Sequence, residues 1–236
     1  MYKGKLIACG NNAKTIKGDG SEYLTAIMYM LPWKSAGINV CPMAEEASCV
    51  EGCLNSAGRG QMNSVQEARA RKTEWFAKDR EGFMRQLVKD VRGFVAYCKK
   101  RGIQPCVRLN GTSDIRWELI PVEGYSNIME AFPQVQWYDY TKIANRKGVP
   151  SNYSLTWSYS GAKASYAAQM EKAVANGMNV AVVFRFKASI PSKFMGLPTV
   201  DGDKDDLRFL DPKGVAVALY AKGSAIKDQS GFVQDA

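Results

Sequence analysis

Gln104-Pro105-Cys106-Val107-Arg108-Leu109 is followed at once by Asn110-Gly111-Thr112-Ser113-Asp114, so an apolar strand pattern runs directly into a polar loop. The same pattern recurs three more times, and helical patterns separate the strands. This alternation is typical of a parallel sheet or a β/α barrel, in which functional residues gather at the carboxyl ends of the strands. The further strand and loop pairs are 135–138 with 139–142, 154–157 with 158–161, and 180–184 with Arg185, and the helical stretches are 127–132 and 163–176.

The chain length and composition predict one α/β domain over residues 1–236. The 236 residues are 46% hydrophobic, which suffices for one core of ordinary size. Residues 1–34 are predicted to form an N-terminal β-hairpin, from strands at 5–9 and 22–30 with a turn at 17–20. Residues 35–63 have few periodic apolar positions and form a predicted loop, and residues 64–236 form the β/α part.

Membrane association and export are not predicted. No apolar run approaches the roughly 18 to 20 residues that span a bilayer. The stretch before Gly10 has only four consecutive apolar residues, too few for the core of a signal peptide. We therefore expect a cytoplasmic protein without a membrane partner.

Two features of the composition restrict the chemistry. The sequence contains no histidine, which excludes Ser-His-Asp triads, Cys-His pairs and histidine-ligated zinc. The formal net charge is +9, from 32 Lys and Arg against 23 Asp and Glu. Such an excess favours a polyanionic partner, of which nucleic acid is the obvious class.

Two consecutive helices contain most of this excess charge. The first is predicted from Ser64 to Lys78, and the second begins after its N-cap Asp79 and ends at Gly102. Between Ser64 and Arg101 there are eleven Lys and Arg against five Asp and Glu. The surplus predicts either a solvated face or a surface that contacts phosphates. The candidate nucleic-acid-binding residues are Arg69, Arg71, Lys72, Lys99, Lys100 and Arg101; Trp75, Trp117, Trp137 and Trp157 could stack on bases or belong to the core.

Three of the six cysteines, Cys41, Cys49 and Cys53, lie within thirteen residues in the loop 35–63. Thiolates are soft ligands that suit zinc or iron–sulfur clusters. Structural zinc usually takes four ligands at short paired spacings, whereas these gaps are seven and three residues, so a cluster is favoured over zinc or unligated thiols. Cys9, Cys106, a carboxylate, water or a small molecule could complete a cluster.

Two polar segments are candidate ligand or anion sites. Gly58 and Arg59 lead from the cysteine loop into the first helix, where amides and a guanidinium could meet an anion. Asn110, Ser113 and Asp114 follow a strand, where they could bind a ligand or contact the cluster region, or simply cap a turn.

The block Cys41–Gly60, together with Val107–Asp114, resembles the bacteriophage-encoded family called gene product 88, which in turn is similar to radical S-adenosylmethionine enzymes. The resemblance covers most of the chain and implies a partial β/α barrel, a reduced radical S-adenosylmethionine barrel with the cluster loop near its start. It also implies a 4Fe–4S cluster ligated by Cys41, Cys49 and Cys53, in a protein made inside an infected host cell.

Two functions follow. The preferred one is a cluster protein that binds single-stranded DNA or RNA through its basic helices. The alternative is a radical enzyme that cleaves S-adenosylmethionine at the open iron and acts on a nucleotide or nucleic acid. The first is preferred because no Gly-Gly-Glu motif is present on the following strand to hold the methionine part of that cofactor.

Overall fold

The structure, a computed structural model, describes residues 4–10 and 22–235. These residues divide into two compact units that are interleaved along the sequence. The single-domain organisation over 1–236 stays a prediction. Unit 1 contains the described residues of 1–41, 63–139 and 148–154, and unit 2 contains those of 42–62, 140–147 and 155–236.

Unit 1 contains strands that pair mainly in parallel. β1 runs antiparallel to β2, as the hairpin prediction requires, although the predicted turn at 17–20 lies outside the described residues. β2 pairs in parallel with β3, and β3 with the start of β4. The carboxyl ends of three strands therefore point the same way. The strands are β1 (Ile7–Ala8), β2 (Tyr23–Met28), β3 (Gln104–Arg108) and β4 (Gln136–Thr141).

The two basic helices of unit 1 match the predicted limits to within one residue, since the first already begins at Asn63. They are α1 (Asn63–Lys78) and α2 (Arg80–Arg101). The carboxylate of Asp79 accepts the Gly82 N–H at 2.8 Å, and this bond holds the pKa of Asp79 below its usual value. Gly102 ends α2 with φ 65°, in the left-handed region that glycine adopts without strain.

An aromatic cluster fixes how these helices pack in unit 1. The Phe76 ring of α1 lies 5.2 Å from Phe83 of α2 and 5.3 Å from Trp117. All three rings are buried. Along α2, Phe83, Leu87, Val91, Phe94 and Cys98 recur at three- and four-residue steps and form its buried face.

Unit 2 contains a second set of mainly parallel strands around β6. β6 pairs in parallel with β5, β9 and β10, and β8 pairs in parallel with β9. β7 and β8 form an antiparallel hairpin. The strands are β5 (Tyr153–Ser158), of which unit 2 contains the part from 155, β6 (Asn179–Phe184), β7 (Lys193–Phe194), β8 (Leu197–Asp201), β9 (Ala216–Tyr220) and β10 (Val233–Gln234).

The remaining helices are short. α3 (Ile128–Ala131) lies in unit 1, close to the helical stretch predicted at 127–132. The single helix predicted at 163–176 is instead two, α4 (Ala164–Ala167) and α5 (Gln169–Ala175). The break falls at Ala168, whose ψ of −17° tightens the turn toward 3₁₀ geometry.

The α/β class and the mainly parallel pairing are confirmed. Among the described residues, neither path of paired strands closes on itself. The more specific prediction, a reduced radical S-adenosylmethionine barrel, is not established by these pairings. Within the part of the chain that the structure describes, no helix is both long and apolar enough to cross a bilayer.

The buried carboxylate of Asp139, inside β4, binds the chain just beyond the end of β3. It accepts the N–H groups of Leu109 and Asn110 at 3.2 and 3.0 Å and the Tyr153 hydroxyl at 3.0 Å. The Arg108 Nε lies 3.8 Å away, and both side chains of this ion pair are more than nine-tenths buried. Because water has no access there, the carboxylate is the acceptor that these donors require.

We predict that Asp139→Ala lowers the free energy of unfolding by about 3 to 5 kcal/mol, since it leaves two buried N–H groups without their acceptor and removes the negative charge beside the buried Arg108 guanidinium. Tyr153→Phe removes a single donor and should cost only about 1 kcal/mol. Urea unfolding followed by circular dichroism measures both values. Equal losses in the two variants would contradict the proposed role of Asp139.

Candidate functional site

The Cys41 thiol lies in unit 1, held by backbone groups on two sides. Its Sγ accepts the Trp33 N–H at 3.3 Å and donates to the Thr112 carbonyl at 3.8 Å. Trp33 has φ 52°, in the left-handed region that is uncommon and strained for a bulky residue. The strained backbone therefore directs an N–H toward the sulfur.

The polar loop 110–114 after β3 lies next to Cys41. The Asp114 N–H donates to the Val40 carbonyl at 2.8 Å, and Thr112 supplies the carbonyl that Cys41 contacts. The Thr112 hydroxyl in turn donates to the Met30 carbonyl at 2.6 Å. The structure thus brings this loop to the first of the three predicted ligands.

Asn110 organises the polar loop from within. Its Oδ1 accepts the Ser113 hydroxyl at 2.9 Å, the Ile115 N–H at 2.9 Å and the Trp117 Nε1–H at 3.0 Å. Asn110, Ser113 and Asp114 are all buried. These bonds agree with a turn-capping role for Asn110 and Ser113, and ligand binding by the three residues stays a prediction.

Cys49 and Cys53 lie in unit 2, where both are half-buried. Cys49 packs against two apolar clusters of the unit, and its N–H donates to the Ala44 carbonyl at 3.1 Å. Cys53 is the N-cap of a short 3₁₀ helix, Leu54–Ser56, and its Sγ accepts the Asn55 N–H at 3.5 Å. Both thiols therefore have defined surroundings.

Three serine hydroxyls fix the backbone around Cys49 and Cys53. They come from two segments of unit 2. Ser160 follows β5, whereas Ser224 and Ser230 both lie in the connection between β9 and β10, and each hydroxyl lies within hydrogen-bond distance of a carbonyl of the cysteine loop. We call these residues the serine clamps. The distances are 2.7 Å from Ser160 to the Ala47 carbonyl, 3.1 Å from Ser230 to the Ser48 carbonyl, and 2.5 Å from Ser224 to the Glu51 carbonyl. The single proton of the Ser230 hydroxyl has a second acceptor, the Asp228 carboxylate at 2.8 Å.

Glu46 anchors the cysteine loop at a further point in unit 2. Its two carboxylate oxygens accept the Lys163 ammonium and the Ser165 hydroxyl, each at 2.9 Å. The bond from Lys163, followed by that from Ser165, lowers the pKa of Glu46. The loop is thereby tied to the start of α4.

All six cysteines are free thiols. Cys98 lies in the core face of α2, as predicted, and Cys106 is fully buried in β3, whereas Cys9 is exposed. Among residues 4–10 and 22–235, no three Cys, Asp or Glu side chains are gathered closely enough to hold a metal ion. A cluster ligated by Cys41, Cys49 and Cys53, with Cys9 or Cys106 as a further ligand, stays a prediction.

Gly58 and Arg59 lie in a one-turn 3₁₀ helix, Gly58–Gln61. Gly58 has φ 52°, which explains glycine at this position. Both residues are exposed. Their predicted role in anion binding remains untested.

The predicted nucleic-acid-binding residues fall into two groups. Arg69 is buried with its guanidinium 4.9 Å from the centre of the Tyr29 ring, so a phosphate has no direct access to it. Lys72 is half-buried and donates to the Leu6 carbonyl at 3.3 Å. The exposed members are Arg71, Lys99, Lys100 and Arg101.

Sequence reasoning missed three basic residues that share a face of α2 with Lys99 and Lys100. They are Arg85, Lys89 and Arg92, and their steps of four and three residues are the signal that could have revealed them. All are exposed and lie opposite the buried face of the helix. We call the set Arg85, Lys89, Arg92, Lys99 and Lys100 the basic stripe.

The four tryptophans that could stack on bases do not accompany this basic surface. Trp117, Trp137 and Trp157 are fully buried, which confirms the core interpretation for them. Trp75 is half-buried, packs edge-on against Phe83 and donates to Asp79. None of these rings is available as an open stacking platform.

Lys72 yields a pH-dependent prediction for unit 1. Burial, followed by the nearby charge of Arg69, lowers the pKa of Lys72 from 10.5 to about 8, while Asp90 acts in the opposite direction. Between these two values the unfolded chain binds more protons than the folded one. The contribution of Lys72 to stability therefore rises as the pH increases through this range.

We expect the stability of the unsubstituted protein, relative to Lys72→Met, to increase by about 2 kcal/mol between roughly pH 7 and 10. Urea unfolding at the two pH values measures this change. The control is Lys89→Met, which removes an exposed lysine. The difference in stability between the unsubstituted protein and this control should be the same at both pH values. A constant difference for Lys72→Met as well would refute the prediction.

The comparisons identify the family of this chain. Neither the curated proteins nor the solved structures include a match to it. A family model described as gene product 88 matches residues 5–236, nearly the whole length. The chain therefore belongs to the gene product 88 family.

Proposed function

We propose that this protein is an iron–sulfur protein that also binds nucleic acid. Cys41, Cys49 and Cys53 would hold a 4Fe–4S cluster in the reduced radical S-adenosylmethionine barrel that the family resemblance implies. The donor set suits this group, because thiolates are its usual ligands and the thiols are not consumed in disulfides. The absence of histidine removes the alternative nitrogen ligands.

The observation that carries the cluster proposal is the set of serine clamps. Ser160 and Ser230 contact carbonyl groups just before Cys49, and Ser224 contacts a carbonyl between Cys49 and Cys53. A loop that merely connects two elements has no need for three such contacts from two other segments of the unit. A loop that presents metal ligands does need them, because ligands bind a metal well only when neighbouring groups hold them in place.

The hydrogen bonds to sulfur give the proposal its second support. Cys41 accepts an N–H from Trp33, and Cys53 accepts one from Asn55. An N–H directed at sulfur stabilises the thiolate over the thiol and helps to set the reduction potential of a bound cluster. The strained backbone at Trp33 is consistent with a functional reason for its position.

When bound through three thiolates, a 4Fe–4S cluster supplies one iron with a position open to another ligand. This leads to the second candidate function, reductive cleavage of S-adenosylmethionine. The observation that favours it is the polar loop 110–114, which follows β3 and contacts Cys41 within unit 1. Ligands of parallel sheets bind beyond the carboxyl ends of the strands, where this loop lies.

The nucleic-acid part of the proposal is supported by the charge distribution. The formal net charge is +9, and the basic stripe exposes five of the cations along one helix face. Exposed lysine and arginine side chains bind phosphates with release of counterions. A polyanion is therefore the partner class that this surface suits best.

We predict that anaerobic reconstitution with iron and sulfide gives brown protein with equal iron and acid-labile sulfide. Cys41→Ser, Cys49→Ser and Cys53→Ser should each lose most of the iron, because each removes a soft ligand. The matched control, Cys98→Ala, removes a buried thiol outside the loop and should retain the cluster. Colourless protein, or full loading of the three variants, would overturn the cluster proposal.

The same reconstituted protein tests the second candidate function. With dithionite and S-adenosylmethionine, an intact cluster with an open iron should yield 5′-deoxyadenosine. Electron paramagnetic resonance should also show a change when S-adenosylmethionine is added. If an intact cluster gives neither result, the second candidate is excluded and the cluster-protein function stands.

The serine clamps are tested in a separate variant. The triple change Ser160→Ala, Ser224→Ala and Ser230→Ala keeps all thiols but frees three loop carbonyls. We expect its cluster to be lost several-fold faster on exposure to a chelator, since loss of the groups that support metal ligands typically weakens metal sites by 10- to 100-fold. Absorption spectroscopy measures the rate at which the cluster is lost. An unchanged rate would mean that the serine clamps do not support the cluster, and the cluster proposal would lose its main observation.

A further inference from the structure

We propose that the basic stripe binds the sugar–phosphate backbone of double-stranded nucleic acid, without stacking on bases. This inference rests on the nucleic-acid part of the proposed function and specifies the partner. The sequence alone favoured single strands, because four tryptophans were available for stacking. The placement of those rings and of the stripe residues changes that expectation.

The basic stripe forms a row along the exposed face of α2. Its members follow one another along α2 at steps of four, three, seven and one residues, from Arg85 to Lys100. At 1.5 Å per residue this run extends about 22 Å along a straight helix. The opposite face, which includes Leu87 and Val91, is fully buried and fixes the rotation of the helix. The stripe therefore forms a rigid row directed at solvent.

The lysine and arginine charges of the stripe are available to a partner. Lys89, Lys99 and Lys100 form no ion pair with the residues that the structure describes. Arg85 pairs with Glu81 and Arg92 with Glu123, but all four of these side chains are largely exposed. Exposed pairs are weak, so the arginines can exchange a carboxylate for a phosphate at little cost.

In the middle of the stripe, two exposed positions of the helix carry small residues. Gly93 and Ala96 are both exposed. A Cβ built on Gly93 would meet no atom within 4 Å, so packing does not require glycine at this interior helix position. Glycine weakens a helix there. Close approach of this helix face to a partner would explain why position 93 has no side chain.

The aromatic residues beside the stripe distinguish a duplex partner from a single strand. Proteins that bind single strands without sequence preference combine cations with aromatic rings that stack on bases. On α2 itself the exposed aromatic residue is Tyr97, and the Arg101 guanidinium lies 3.8 Å from its ring centre, which covers one face. A surface that offers charge alone favours the polyanion of highest charge density, and this is the duplex.

The test is fluorescence anisotropy with a labelled duplex DNA, the matching duplex RNA and one of the single strands, using the full chain. We expect both duplexes to bind more tightly than the single strand. With up to five phosphate contacts, duplex affinity should fall on the order of a few hundred-fold between about 50 and 200 mM salt. A preference for one duplex identifies whether DNA or RNA is the partner and still supports the inference.

Two variants of the stripe and one control variant locate the surface. The triple change Lys89→Gln, Lys99→Gln and Lys100→Gln should reduce the slope of log affinity against log salt by about three. The charge-matched control Lys147→Gln, Lys172→Gln and Lys213→Gln removes exposed lysines of unit 2 and should leave the slope almost unchanged. Ala96→Glu, which places one carboxylate in the middle of the stripe, should weaken duplex binding at least several-fold.

The outcomes distinguish the two levels of the proposal. Tighter binding of the single strand overturns the duplex inference and leaves the nucleic-acid function in place. An equal loss in the control triple, or no loss in the stripe triple, overturns the assignment of the stripe. If neither duplex nor single strand binds in a salt-dependent way, the nucleic-acid part of the proposed function fails as well.

Discussion

The buried carboxylate of Asp139 is the group on which the arrangement of unit 1 depends. It accepts the N–H groups of Leu109 and Asn110, the first residues beyond β3. Asn110 is thereby fixed at the point where its own side chain shapes the polar loop. The loop then reaches Cys41 through Thr112. One acceptor therefore sets the course of the chain from strand end to candidate ligand.

The cysteine loop of unit 2 illustrates a different solution to the same problem. A segment rich in polar and small residues has little apolar surface to bury and gains little order from packing. Here hydroxyl donors from Ser160, Ser224 and Ser230 supply the order instead. A fixed backbone presents Cys49 and Cys53 without the entropic cost of ordering the loop when a ligand binds.

The sequence was most informative where a local rule applies. Asp79 and Gly102 have unambiguous capping roles, so the limits of α2 were predicted correctly. The prediction of one continuous helix at 163–176 was wrong. The spacing of apolar residues does not reveal that the turn at Ala168 is locally tightened. The site was only partly predictable. Contacts such as that between Cys41 and Thr112 join residues 71 positions apart, and no local pattern encodes such a pair.

Net charge proves to be a coarse guide to function because basic residues serve several purposes in one chain. Arg69 and Arg208 are buried, the first over the Tyr29 ring and the second beside Asp205. Neither can meet a partner, although both add to the formal charge of +9. What distinguishes the basic stripe is that its cations are exposed, lie in one row and include three lysines outside any described ion pair. The disposition of charge on a rigid face, rather than its total, is therefore the property that indicates a polyanionic partner.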